Sequence, residues 1–366
     1  MSARFIVTYH VRCPTSEIEA RAKGISVEQS VEMPLSAIVD DNVMQNIVGQ
    51  VADIKDLGNE VFEVKIALAI ATVGKDAGQM LNMMLGNSSL HACVRLVDVE
   101  IPTVFAEIFG GPRHGLDGLR ARVGAGRRPL TATAIKPQGM PVPALADVAY
   151  RLALGGLDYV KDDHGLADQA FSPFVERVPA LAKAVQRAAA ETGHSTRYIP
   201  MLSGDWGKMQ KQLRLAKECG IDTVMIAPML SGVATLQALT QEWPEMAVLA
   251  HPSMCGGGQI AHELLFGKLF RLWGADALIF GNYGGRFGFS KDMCRNLSAN
   301  ALAPMHGLKT SVPTPAGGME LARVPELLDF FGRDTMLLIG GSLLMAKERI
   351  PQEGDAFQRA VEGYFK

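Results

Sequence analysis

The densest chemistry in the chain is a run of four residues, Lys161-Asp162-Asp163-His164: an amine, two carboxylates and an imidazole in succession. In an extended segment alternate residues face the same way, so such a run presents donors to one side before the chain turns. Carboxylate oxygens suit magnesium, which keeps several waters and leaves positions for substrate oxygens. The imidazole of His164 would also suit a transition metal. A solvated charge cluster behind a strand is the simpler alternative. A second lysine, Lys136, ends the run Thr133-Ala134-Ile135 and precedes Pro137, which restricts the backbone there. A lysine whose neighbours depress its pKa offers a neutral amine that accepts a proton, so Lys136 and Lys161 are candidate acid–base groups. His251, at the end of another apolar run, could hydrogen-bond a substrate oxygen. A satisfied core histidine is the competing reading there. Two glycine pairs, Gly317-Gly318 and Gly340-Gly341, would let backbone N–H groups approach a phosphate. Either pair alone reads equally well as a tight turn.

The elements that must position these residues recur regularly. Strand-like runs fall at residues 132–136, 158–162, 197–202, 223–227, 247–251, 277–281, 308–312 and 336–340, with amphipathic stretches between most of them. Eight strand–helix units in about 210 residues predict a (β/α)8 TIM barrel, whose chemistry sits at the carboxyl ends of its strands. Every candidate above falls at such an end. A doubly wound open sheet is the competing architecture, and the chain has no glycine-rich phosphate motif after its first strand to support it. Before the barrel, strand-like runs near 5–9, 61–67 and 92–100 with two helical stretches predict a smaller α+β domain. The expected division is 1–115 for that domain and 116–366 for the barrel.

The 366 residues suffice for two such units, and 48% apolar against 20% charged residues describe a chain able to bury a core. Thirty-six basic and 38 acidic residues nearly cancel, which argues against nucleic acid as the main partner. Five scattered cysteines without a C-x-x-C pair argue against a disulfide framework or a zinc ribbon, and a cytoplasmic home is expected. No apolar run approaches a membrane span. The remaining histidines, His10, His91, His114, His194, His262 and His306, read as structural, and the 18 methionines as packing.

These residues together resemble the RuBisCO large subunit, and more closely the RuBisCO-like proteins of form IV. The likeness runs through Gly86-Asn87, Arg95-Leu96-Val97-Asp98-Val99-Glu100-Ile101-Pro102, Gly111-Pro112, Arg128-Pro129-Leu130, Ile135-Lys136-Pro137 and Gly155-Gly156-Leu157-Asp158-Tyr159-Val160-Lys161-Asp162-Asp163. It continues through His251-Pro252-Ser253-Met254, Ala316-Gly317-Gly318 and Ile339-Gly340-Gly341. The resemblance implies an N-terminal α+β domain, a TIM barrel, and a homodimer, or a higher assembly, in which the partner's N-terminal domain completes each site and donates Asn87. It implies that Lys161 reacts with CO2 to form a carbamate. That carbamate binds Mg2+ beside Asp163 and the residue at His164. It further implies that Lys136 is the catalytic lysine of the first strand and that Gly317, Gly318, Gly340 and Gly341 hold the phosphate of a sugar phosphate.

Departures from the family pattern narrow the function. The third metal ligand is His164 where the family has glutamate, and a second active-site lysine is replaced by Gln138. Pro252 stands at a phosphate-binding arginine position, and Ala277 and Ile279 replace a histidine pair. The loop Gly281-Asn282-Tyr283-Gly284-Gly285-Arg286-Phe287-Gly288 carries Arg286 instead of a catalytic lysine. Carboxylation of ribulose bisphosphate is therefore not expected. Nor is the family's enolase activity, which uses a lysine where Asn87 stands. What survives is metal-assisted stabilisation of an enediolate with a lysine moving protons. Relatives with this pattern resemble lyases that decarboxylate or cleave 3-oxo sugar-acid phosphates in apiose-type catabolism, and that is the leading expectation. The alternatives are an isomerase that moves a proton in a 5-methylthio-pentose phosphate, and a non-catalytic binding protein.

Overall fold

The structure is a computed structural model that describes residues 3–365. Four antiparallel strands, β1 (Arg4–Arg12), β2 (Gln50–Asp56), β3 (Val61–Ala69) and β4 (Val94–Val99), form one sheet in the order β2-β3-β1-β4. β1 alternates apolar and polar residues and buries Phe5, Val7, Tyr9 and Val11 on its way through the middle of the sheet. β2 is a strand that the sequence does not suggest. It is an edge strand rich in Asp and Lys with almost no buried residue, so the apolar alternation that marks the inner strands is missing.

Eight parallel strands make the second sheet: β5 (Leu130–Ile135), β6 (Tyr159–Asp162), β7 (Arg197–Ile199), β8 (Thr223–Ile226), β9 (Ala247–Ala250), β10 (Ala277–Gly281), β11 (Val312–Ala316) and β12 (Met336–Leu338). Their order is β7-β6-β5-β12-β11-β10-β9-β8. A bridge between Met201 and Met225 closes the ring, with Leu202 N–H donating to the Met225 carbonyl at 2.9 Å. This is the expected barrel. Among the described residues no helix is long and apolar enough to cross a membrane.

One expected strand is corrected. The seventh barrel strand lies at Val312–Ala316 and not at 308–312. Pro313 and Pro315 inside it lack N–H donors and argue against a central strand by composition, yet both are buried in parallel register with β10. Gly317 therefore follows the strand directly.

The barrel interior obeys the two-residue period. Leu130 and Ala132 of β5, Tyr159 of β6, Ile199 of β7, Met225 of β8, Leu249 of β9 and Met336 of β12 pack into one inner cluster. The helix Gly115–Arg122 plugs the amino end, where the Tyr159 hydroxyl donates to the Leu119 carbonyl at 2.8 Å. Intervening residues such as Val160 and Ile135 face the surrounding helices. Continuing the same period beyond the packed layers brings Lys136, Lys161, Asp163, His251, Gly281 and Gly340 to the inside of the carboxyl-end mouth.

Candidate active site

A cavity of about 850 Å3 opens at that mouth. Lys136, Lys161, Asp163, His164, His251, Arg286 and all four of Gly317, Gly318, Gly340 and Gly341 line it. Asn87 does not. It is exposed on the N-terminal domain, where its amide donates to Glu28 at 2.9 Å and Glu32 at 3.1 Å.

The second barrel strand shows how the site is built. Asp162 points away from the mouth and is fully buried, accepting from the Tyr198 hydroxyl at 2.7 Å and the Met201 N–H at 3.1 Å. Arg177, also fully buried, pairs with it at 3.3 Å. Asp162 therefore belongs to the scaffold, and the two carboxylates of the sequence run split into one anchor and one site residue. The anchor fixes the direction of its neighbours.

Lys161 is buried, and its ammonium has the Asp162 carbonyl at 3.0 Å as its hydrogen-bond acceptor. Burial lowers its pKa to about 8; Asp163 pulls upward and Lys136 pushes further down. A neutral amine is thus within reach near physiological pH, the form that reacts with CO2. Asp163 pairs with the Lys136 ammonium and lies 3.4 Å from His164 Nδ1. Burial would raise its pKa, but the hydrogen bonds from His164 and Lys136 outweigh that and hold the carboxyl well below the usual range.

His251 is held neutral: burial, then the nearby charges of Lys161 and His164, lower its pKa to about 2. Its Nδ1 accepts from the Ser253 N–H at 3.2 Å and lies 2.9 Å from the Ser253 hydroxyl. Because a backbone N–H can only donate, the ring proton resides on Nε2, which leaves a neutral N–H donor for a substrate oxygen. His164 stacks on the His251 ring, centroids 4.6 Å apart at 10°.

The glycine pairs differ in their reasons. Gly317 and Gly318 have φ of +85° and +70°, and a Cβ on either would meet the Phe287 ring or Gly285 within 3 Å. At Gly340 and Gly341 a Cβ would meet nothing within 4 Å, because they border open cavity. The N–H groups of Gly318, Gly340 and Gly341 are taken up by no backbone carbonyl among the described residues, whereas that of Gly317 faces the β11–β12 ladder that pairs Ala316 with Leu338. Ser342 ties the two loops together, its hydroxyl donating to the Met319 carbonyl at 2.9 Å. Three such N–H groups around one space form an anion cradle.

Of the departures from the family pattern, Gln138 lies against Gly165 and lines no part of the cavity, whereas Pro252 and Ile279 do line it. The loop after β10 is pinned by Tyr283, whose hydroxyl donates to Glu326 at 2.8 Å, leaving Arg286 exposed over the Phe287 ring.

The sequence reading missed one wall. His262, taken there as structural, lines the cavity with Phe266, Phe287, Phe289 and Cys255. A signal was present: His262 and Phe266 are four apart on one helical stretch and so share a face. β4 holds that stretch, since Leu96 N–H donates to the Gln259 carbonyl at 2.7 Å and Ala261 N–H to the Leu96 carbonyl at 2.8 Å.

Two strand-end lysines, a carboxylate and facing glycine loops at the mouth of a barrel behind an α+β domain define a RuBisCO-type site. Residues 115–360 match the family of the ribulose bisphosphate carboxylase large chain, catalytic domain, and the chain belongs to it, with the RuBisCO-like proteins of form IV. A 5-methylthioribulose-1-phosphate isomerase of Rhodospirillum rubrum is 52% identical over 364 residues, spanning 99% of this chain and 97% of that protein. A 2,3-diketo-5-methylthiopentyl-1-phosphate enolase of Geobacillus kaustophilus is 30% identical over 370 residues, 95% of this chain and 89% of that one. The crystal structure of a RuBisCO-like protein from Rhodopseudomonas palustris superposes with a TM-score of 0.94 at 46% identity, covering 100% of this chain and 99% of that one.

Proposed function

We propose that this chain is a non-carboxylating enzyme that moves a proton between carbons of a 5-methylthio-pentose phosphate, an isomerase. The observation that carries this reading is the 52% identity, over almost the whole of both chains, to the isomerase of Rhodospirillum rubrum. It favours the second of the reactions expected from the sequence. Loss of a carboxyl group from a 3-oxo sugar-acid phosphate has no comparable support, and a purely binding role leaves the converging lysines unexplained.

The residues divide the work. The N–H groups of Gly318, Gly340 and Gly341 take the phosphate, with Gly317 shaping the loop, and His251 donates its Nε2–H to a substrate oxygen that gains charge as the proton leaves. Lys136, held at the mouth by Asp163, carries the proton. Among the described residues no three His, Cys, Asp or Glu side chains cluster as a metal site. The donor set fits a hard divalent cation once Lys161 is carbamylated, because a second anionic oxygen then joins Asp163 and the nitrogen of His164. Magnesium held there would polarise adjacent substrate oxygens. A second copy of the chain, in this reading, delivers Asn87, which is exposed and outside its own cavity.

The test is proton and carbon NMR in D2O with magnesium and bicarbonate. 5-Methylthioribulose 1-phosphate should give an isomeric ketose phosphate with deuterium at the carbon that exchanges. Turnover of a 3-oxo sugar-acid phosphate with CO2 release, and none of the methylthio compound, would overturn the assignment.

A further inference from the structure

Two chemically different sets of residues line the cavity. One holds Lys136, Lys161, Asp163 and the glycine loops. The other is the wall of Phe266, Phe287, Phe289, His262 and Cys255. We propose that this aromatic wall is the subsite for the 5-alkylthio tail of the substrate, the feature that selects a thioether over a hydroxyl or a second phosphate. The inference rests on the isomerase reading for the rest of the substrate.

The wall is built in place. Gly281 ends β10, and a Cβ there would stand 2.7 Å from the Phe289 ring and 3.1 Å from Phe287, so the strand end is bare where these two side chains sit. Gly317 makes the same allowance for the far edge of Phe287, 2.8 Å from a Cβ. His262 lies nearly parallel to Phe289, centroids 5.1 Å apart at 13°, and 5.8 Å from Phe266. Phe266 and Cys255 are buried.

The chemistry of this wall suits sulfur and a methyl group. A polarisable thioether makes favourable contacts at aromatic rings and gives up little hydration on entering an apolar site. A hydroxyl or phosphate would lose its water and find few donors. His262 adds no charge: burial and then Arg95 lower its pKa, and its Nδ1 is buried without a hydrogen-bond partner. Pro252, which also lines the cavity, is not a donor, and Arg286, the cation of the adjoining loop, is exposed and stacks on Phe287, its guanidinium carbon 4.8 Å from the ring centroid.

Binding of inert probes separates this proposal from the reaction assignment. Calorimetry on the full chain with magnesium and bicarbonate would compare 5-(methylthio)pentyl phosphate, 5-hydroxypentyl phosphate and inorganic phosphate. The parent should bind the methylthio probe at least tenfold more tightly than the hydroxy probe, the order expected for a filled apolar pocket. Phe289→Ala and Phe287→Ala, at half-buried and exposed rings, should each erase most of that preference, and Phe289→Ala, whose ring sits against Gly281 and not against the phosphate loop, should leave the inorganic phosphate affinity unchanged. A parent that binds the two organic probes equally, or binds neither, overturns the proposal, as do variants that keep the preference. If the probes behave as expected but the isomerase assay is silent, the reaction assignment fails and the thioether subsite stands.

Discussion

The two ends of the barrel treat their buried carboxylates and backbone donors differently. At the amino end the buried carboxylates are fully engaged. Asp158 accepts from both terminal nitrogens of Arg128 at 2.6 Å and from the Thr131 N–H at 2.8 Å. Asp276 collects the N–H groups of His114, Gly115 and Val248 at 2.7, 2.6 and 2.8 Å. At the carboxyl end Lys161 has one carbonyl acceptor, and the N–H groups of Gly318, Gly340 and Gly341 remain free of backbone carbonyls. A buried polar group left short of partners costs stability, so a fold keeps such groups where a ligand will satisfy them. Buried atoms without a hydrogen bond occur in the scaffold too, at His114 Nε2 and Arg177 Nε, so the difference between the two ends lies in the carboxylates and the loop N–H groups.

The comparison is sharpest at the second strand, where residues one position apart belong to opposite classes. The largest effect is expected at the site. Lys136→Met should lower kcat by about 10^2 to 10^4-fold, the usual contribution of a proton-transferring side chain, with an unchanged unfolding midpoint and magnesium affinity retained. Turnover within tenfold of the parent would remove Lys136 from proton transfer. Next comes the scaffold: Arg177→Met strands the fully buried Asp162 carboxylate and should cost about 3–5 kcal/mol in urea unfolding, because a buried charge has lost its partner. A loss below ~1 kcal/mol would show that Tyr198 and the Met201 N–H suffice alone, and would blur the distinction drawn here.

A third substitution reverses the sign. Lys161 is a buried amine with a single carbonyl acceptor, so Lys161→Met should abolish turnover and magnesium binding yet leave stability equal or raise it by about 1–2 kcal/mol, measured in CO2-free buffer. Destabilisation of that size instead would place Lys161 with the anchors. Function lost with stability kept at 161, against stability lost by unpairing 162, is the pattern to look for.

How much of this was legible follows from the same physics. The two-residue period places Lys136, Lys161, Asp163, His251 and Gly340 at one mouth from the sequence alone, because strand ends inherit the facing of the strand. Asp162 reads as part of the same cluster, since nothing in its immediate neighbours announces Arg177 or Tyr198 as partners. β11 is displaced because its prolines look hostile to a strand, and β2 is hidden because an edge strand needs no apolar face. The aromatic wall is indistinguishable from core by composition: Phe266 packs against Phe270 like any interior pair, and only the fold shows that its other side meets the cavity. Asn87 enters the expected site through the family resemblance alone, for its own chain gives it Glu28 and Glu32 as partners and it lines no part of the cavity.

The loop after β10 tests where scaffold ends. Tyr283 is buried, its ring 4.7 Å from Phe330 and 6.1 Å from Phe331, with Lys291 and Arg323 over its faces at 5.1 and 5.3 Å. Its hydroxyl donates to Glu326, but Arg323 holds the same carboxylate at 3.0 and 3.1 Å. Tyr283→Phe removes one hydrogen bond to a carboxylate that stays paired and keeps all the ring packing, so the expected cost is about 1 kcal/mol, the smallest of the four. Turnover should fall by less than threefold, because the ring and not the hydroxyl anchors the segment that presents Arg286 and Phe287. A tenfold rise in KM at unchanged stability would mean that the hydroxyl sets the loop's position over the cavity, which would move Tyr283 from the satisfied class to the functional one.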